Sequence, residues 1–226
     1  MSKTDHLRNV PIFTDLSDSD LNRIASKMVS RDYDKGQMIL LEESTGETFF
    51  IITSGTVKVT RLSDDGREVI LALLGESDFF GEMSLLDGEG RSANIVANED
   101  AEVMTLSRRD FLEYLETYPK IAIALLEELA VRIRKSDQQI ESLSLSDSEQ
   151  RIGITLIRLA EERGTIKRGD VTVQNLPYQQ DIANMAGTSR ETVSRTLKLL
   201  EYKKLVKRNG SDITIFNFND FRQSFS

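Results

Sequence analysis

The stretch Phe79-Phe80-Gly81-Glu82-Met83-Ser84-Leu85-Leu86-Asp87-Gly88-Glu89-Gly90-Arg91-Ser92 decides how this chain is read. Gly81 carries no Cβ, so its main chain can come close to a ligand, and Glu82 follows as a fixed acceptor. Met83 to Asp87 has the character of a short helix, and the Gly88-Glu89-Gly90 turn then delivers Arg91 and Ser92. Free amides at a helix start, a guanidinium fork and a hydroxyl make a compact receptor for one phosphate group. Glu82 would accept from a sugar hydroxyl on the same ligand. The competing reading is a hairpin loop with an incidental arginine, since glycine-rich turns are common.

Short apolar runs surround this loop: Met38–Leu41, Thr48–Thr53, Thr56–Arg61, Val69–Leu74, Ala93–Ala97 and Glu102–Leu106. Turn signals separate them at Lys35-Gly36, Ser54-Gly55, Asp64-Asp65-Gly66 and Gly75. Many short strands at near-regular spacing predict a sandwich, barrel or roll, preceded by a short helix over 18–28. The quoted stretch resembles the phosphate-binding cassette of cyclic-nucleotide-binding domains: Gly-Glu, a short apolar helix, a turn, then Arg-Ser and a small residue, here Ala93. The order of strands is similar too. The resemblance implies an eight-stranded β-roll of jelly-roll type, with Gly81, Glu82, Met83, Arg91 and Ser92 around a cyclic nucleotide.

Bulk properties narrow the classes. The 226 residues suit two modest domains. Without cysteine, disulfides, thiolate metal sites and cysteine-ligated iron–sulfur clusters are excluded; with only His6, a histidine metal or haem site is not expected. No signal peptide or long apolar run is evident, so a soluble, cytoplasmic protein without membrane contact is expected. The net charge of −8 is unevenly spread. Residues 1–150 hold 16 Lys and Arg against 29 Asp and Glu (−13), and residues 151–226 hold 13 against 8 (+5). An acidic half joined to a basic half predicts two jobs, with polyanion contact confined to the second.

From Arg108 the period changes. Arg108–Thr117 reads as an amphipathic helix, and Pro119 opens a longer one. Leu126, Leu129, Ile133, Ser136, Ile140 and Leu143 are spaced 3-4-3-4-3, an apolar seam that predicts a parallel pairing of two copies. Ser136 has two readings: a polar residue that sets register, or a donor to a ligand's base edge at the dimer axis. The resemblance places Ser136 and Asp137 against the base and Arg132 as the partner of Glu82. Ser146 and Glu149 read as a capping box opening a helix that runs to about Arg163, so this serine-rich joint is a short hinge.

The last segment carries a helix-turn-helix: Tyr178–Met185, the turn Ala186-Gly187-Thr188, and a helix N-capped by Ser189 that runs to about Tyr202. Val193, Leu197 and Leu200 point inward, and Arg190, Glu191, Ser194, Arg195 and Lys198 share one polar face. Lys203, Lys204, Lys207 and Arg208 form a basic flank suited to phosphates, and Asp212–Phe218 reads as the second strand of a wing hairpin. Gly187 to Arg195, G-T-S-R-E-T-V-S-R, resembles the recognition helix of the cAMP receptor protein/FNR superfamily of bacterial transcription regulators.

That likeness implies Arg190 and Arg195 on guanine and Glu191 on cytosine, in a TGTGA-like palindrome. The chemistry agrees, since arginine is bidentate to guanine O6/N7 and a carboxylate accepts from cytosine N4. Ser194 leaves the outer bases open between TGTGA-like and TTGAT-like sites. The expected architecture is therefore α+β: a β-roll over 7–118, a dimerisation helix over 119–145 and a winged helix-turn-helix over 146–226. The expected ligand is cAMP, without metal; the expected partners are double-stranded DNA, a second copy and RNA polymerase. The alternatives are a regulator that is ligand-independent or answers another effector such as cyclic di-GMP, and a nucleotide-hydrolysing enzyme. Against the enzyme stands the lack of a Walker loop or a histidine–carboxylate metal cluster, and no catalytic residue is assigned.

Overall fold

The computed structural model describes residues 2–225, and the chain divides into two compact units between Arg134 and Lys135. The first unit opens with α1 (Lys3–Arg8), a 3-10 turn (Pro11–Phe13) and α2 (Asp18–Lys27). Strands β1 (Val29–Tyr33), β2 (Met38–Leu40), β3 (Thr48–Ser54), β4 (Val57–Leu62), β5 (Glu68–Leu74) and β6 (Phe79–Phe80) follow. Then come α3 (Met83–Asp87), β7 (Asn94–Ala97), β8 (Ala101–Ser107), α4 (Arg108–Thr117) and α5 (Pro119–Leu145), the last contributing to both units. The eight strands form two antiparallel sheets, ordered β1-β8-β3-β6 and β2-β7-β4-β5, as expected of a β-roll.

Strand β3 explains how the roll is held. Its run Phe49-Phe50-Ile51-Ile52 is apolar at every position because both faces are covered. Phe49 and Ile51 pack with the helices, Phe49 stacking on Phe111 at 4.5 Å. Phe50 and Ile52 face a second cluster, Phe50 stacking on Phe80 at 4.8 Å. Strand β6 repeats the alternation, Phe79 on one side and Phe80 on the other, while pairing with Ile51 and Phe50. Full burial of each such side chain stabilises by about 1.5–3 kcal/mol, so the start of the Gly81 loop is pinned on two faces.

The second unit contains α6 (Ser148–Arg163), β9 (Gly164–Lys167), β10 (Asp170–Val173), α7 (Gln179–Ala186), α8 (Arg190–Tyr202), β11 (Val206–Asn209), β12 (Asp212–Ile215) and α9 (Phe218–Gln223). Its sheet is ordered β11-β12-β10-β9, and its core joins Ile152 and Leu156 of α6 to Ile182, Val193, Leu197 and Leu200.

Two expectations need correcting. The capping box of α6 is Asp147 with Gln150, not Ser146 with Glu149. The Ser146 amide still donates to Ser142 O at 3.0 Å, so Ser146 belongs to the end of the preceding turn. The wing strand stops at Ile215 instead of reaching Phe218, because Asn217 adopts a left-handed φ of 45° and starts α9, which buries Phe221. Sequence reading also missed β1, whose residues Val-Ser-Arg-Asp-Tyr carry no apolar alternation, and the β9–β10 hairpin.

Candidate functional site

Gly81 follows β6 with a φ of +83°, and a Cβ there would lie 2.7 Å from Arg91 Nη1. Glycine is thus required both by the left-handed backbone and by the guanidinium against it. Arg91 is only 5 % exposed. Its Nη1 donates to Gly81 O at 2.7 Å and Ser84 Oγ at 2.8 Å, and Nη2 donates to Thr48 O at 2.8 Å. Its Nε is buried without a partner. A Cβ on Gly46 would fall 2.8 Å from both Nε and Cζ, so that main chain closes the other side. Burial pushes the guanidinium below its ordinary pKa, and the nearby carboxylates of Glu82 and Glu47 oppose the shift. Arg91 stays charged. A buried cation held by neutral acceptors, with one N–H unused, is an electrostatic site suited to an anion.

Glu82 is 3 % exposed and accepts from Arg132 Nη1 at 2.9 Å. Arg132 Nη2 donates to Phe79 O at 2.7 Å, and its guanidinium lies 4.5 Å over the Phe79 ring. The expected Glu82–Arg132 pair is therefore present and ties the cassette to α5. Glu82 occupies the N-cap position of α3 without a side-chain cap, leaving that short helix's first amides to other acceptors. Ser92 and Met83 are exposed at the rim, with Ser92 Oγ donating to Met83 Sδ at 3.6 Å. The first unit thus brings together Gly81, Glu82, Met83, Arg91, Ser92 and Arg132. Ser136 and Asp137 lie in the second unit, exposed on α5, as are Ile140 and Leu143 of the seam.

In the second unit, Ser189 caps α8 by accepting from the Thr192 amide at 3.2 Å. Val193, Leu197 and Leu200 are buried, which turns Arg190, Glu191, Arg195 and Lys198 to solvent and leaves Ser194 half-buried. These five polar residues line an open groove of about 480 Å³. Hydrogen bonds from its own amide and from Ser189 hold the Glu191 carboxyl below the usual carboxylate range. Gln179, at the first position of α7, lines the same groove and was missed by sequence reading. Lys203, Lys204 and Lys207 are exposed, but Arg208 is not a free phosphate contact: it donates to Glu201 at 2.6 Å and is half-buried. No group of three or more His, Cys, Asp or Glu able to hold a metal occurs among the described residues. Among them, no helix is long and apolar enough to cross a membrane.

Residues 30–118 match the cyclic nucleotide-binding domain family, and residues 150–223 match the Crp-like helix-turn-helix domain family. The chain is 34% identical over 209 residues to a cyclic AMP receptor protein of Thermus thermophilus, covering 92% of this chain and 94% of that one. The chain belongs to the Crp/Fnr superfamily. Crp/Fnr membership makes it a cyclic-nucleotide-binding-domain transcription regulator with a DNA-binding helix-turn-helix. Two solved structures share its fold at lower identity. FixK2 from Bradyrhizobium japonicum is 22% identical with a TM-score of 0.77, covering 87% of this chain and 96% of that one. The cyclic di-GMP-responsive regulator CLP of Xanthomonas campestris is 23% identical with a TM-score of 0.74, covering 88% and 99%. Within the Crp/Fnr cassette, sequence reading missed Gly46, Thr48 O and Ser84, whose roles exist only once Arg91 is folded against them.

Proposed function

We propose that this Crp/Fnr regulator is a homodimer that answers cAMP and then reads a palindrome of TGTGA-like half-sites. The observation that carries the ligand half is Arg91: a buried guanidinium with neutral partners and an unused Nε. Arg91 supplies the charge for a cyclic phosphate, Ser92 and the main chain from Gly81 to Met83 supply hydrogen bonds, and Glu82 accepts from the ribose 2′-hydroxyl. Ser136 and Asp137 of paired α5 helices meet the adenine edge, and Arg132 reports the state of Glu82 to α5. Charge-assisted bonds contribute roughly 1.5–3 kcal/mol each, so a few of them made only in the active state supply the ~5.5 kcal/mol of differential binding needed to move a two-state protein from mostly inactive to mostly active.

For DNA, Arg190 and Arg195 read guanine and Glu191 accepts from cytosine N4, each good pair contributing roughly 1–3 kcal/mol of discrimination. Ser194 faces the outer bases, Ser189 and Lys198 the backbone. The working division is a β-roll over 7–118, a dimer helix over 119–145 and a reading domain over 146–226, with RNA polymerase as the further partner. Half-sites one helical turn apart match two-fold pairing. A gel-shift series on a TGTGA palindrome, with and without cAMP, together with calorimetry against cAMP, cGMP and cyclic di-GMP, tests the reading. Heat and operator binding with cAMP are expected. Heat with cyclic di-GMP alone would reassign the effector, and nucleotide-independent operator binding would remove the ligand from the mechanism.

A further inference from the structure

Arg151, in the first turns of α6, donates three hydrogen bonds, all to main-chain carbonyls. Nε donates to Ala186 O at 2.8 Å, Nη2 to Gly187 O at 3.1 Å and Nη1 to Ser146 O at 2.8 Å. Ala186 ends α7 and Gly187 is its left-handed cap, so two acceptors are orphan carbonyls at the negative end of the helix before the turn. The third belongs to the joint between α5 and the Asp147 cap of α6. A second contact joins the same two places. A Cβ on Gly187 would lie 2.9 Å from Leu143 Cδ2, so the last turn of α5 packs on the turn that precedes Ser189 and α8.

We infer that Arg151 is a positioning residue for DNA reading: its guanidinium locks the joint after α5 to the turn before α8. A movement of residues 143–146 is then passed to the recognition helix through one rigid planar group, not through a slack tether. The planar fork matters, because a lysine ammonium on a flexible stem cannot hold three divergent carbonyls in fixed geometry. The inference rests on the proposed reading of DNA by α8.

The test compares full-length parent, Arg151→Ala and Arg151→Lys, with Arg195→Ala as a base-reading control. Fluorescence anisotropy measures affinity for a TGTGA palindrome and for a scrambled duplex of equal length, with cAMP present, over a series of salt concentrations. Hydrogen–deuterium exchange of segments 143–147 and 186–192 is read on the free proteins. Arg151→Ala is expected to cut the preference for the palindrome about tenfold, with the salt slope unchanged because no phosphate contact is lost, and to speed exchange in both segments together. Arg151→Lys should fall between it and the parent, and carries the test if the alanine variant does not fold.

A salt slope lower by about one would make Arg151 a phosphate contact instead and overturn the inference. So would a lower melting temperature with palindrome preference intact. If the parent itself does not distinguish the two duplexes, the operator reading fails, and exchange decides alone. Joint loosening of both segments then sustains the coupling, and loosening of 186–192 without 143–147 refutes it.

Discussion

Two regions of this molecule use arginine in opposite ways. In the cassette, Arg91 is buried, bonded to Gly81 O, Ser84 Oγ and Thr48 O, and has no carboxylate bonded to it. On α8, Arg190 and Arg195 stand in solvent on an open groove. Buried charge has already lost its water, so it is screened little by salt and favours the one small anion that fits. Exposed charge keeps its water and acts at long range, attracting a polyanion at a rate that falls with ionic strength. The net charge follows the same division, −13 over residues 1–150 and +5 over residues 151–226. On the proposed reading, the cassette is suited to selection and the α8 face to steering followed by inspection.

The sharpest way to break this contrast is Arg91→Ala. Removing one partner of a desolvated charged contact costs on the order of 2–5 kcal/mol, so nucleotide affinity should fall by about a hundredfold or more in calorimetry. Nucleotide-stimulated operator binding should disappear with it, while binding to scrambled duplex persists. Unchanged nucleotide affinity would remove Arg91 from the site. Next in size is Arg195→Ala, expected to cost roughly 1–3 kcal/mol in each half-site and to relax the base read there. Its nucleotide affinity should stay near that of the parent; loss of both activities would show that the two regions do not divide the labour as proposed.

Much of this contrast was legible in the sequence because local constraints wrote it there. Gly81-Glu82 and Arg91-Ser92 bracket a helix too short to tolerate other spacing, and Ser189 with Val193, Leu197 and Leu200 fixes which face of α8 is wet. What escaped depends on distant packing. Thr48 O serves Arg91 from a strand 43 residues away, and a main-chain carbonyl leaves no trace in residue type. Gly46 matters only for what its missing side chain would strike. Strand β1 is recognisable only by its pairing with β8, since its centre, Ser30-Arg31-Asp32, is polar and exposed. The Ser146 capping box failed because two overlapping signals competed, and the aspartate one residue later bonds Gln150 reciprocally.

Gly81→Ala sharpens the cassette side at a smaller scale. The φ of +83° strains any L-residue, and the new methyl would press on Arg91 Nη1. A loss of roughly 1–2 kcal/mol in folding stability is expected from the backbone alone, seen as a lower denaturation midpoint. Nucleotide affinity should weaken as well, because the guanidinium must shift. A stable Gly81→Ala protein with full nucleotide affinity would mean that the loop rearranges freely and that the buried arginine is not preorganised.

The smallest predicted effect separates structure from reading within one residue. Ser189 accepts from the Thr192 amide as N-cap of α8 and is also exposed, where the proposed reading puts it against the DNA backbone. Ser189→Ala loses the cap and should cost about 1 kcal/mol of stability, measured by denaturant unfolding. Ser189→Asp keeps a capping oxygen and favours the helix dipole, so its stability should match or exceed the parent. The same aspartate puts a negative charge beside the phosphates, and operator affinity should drop while stability does not. If Ser189→Asp binds DNA as well as the parent does, this end of α8 lies away from the backbone. The recognition helix would then enter the groove by its middle, through Ser194, Arg195 and Lys198, and not by its first turn.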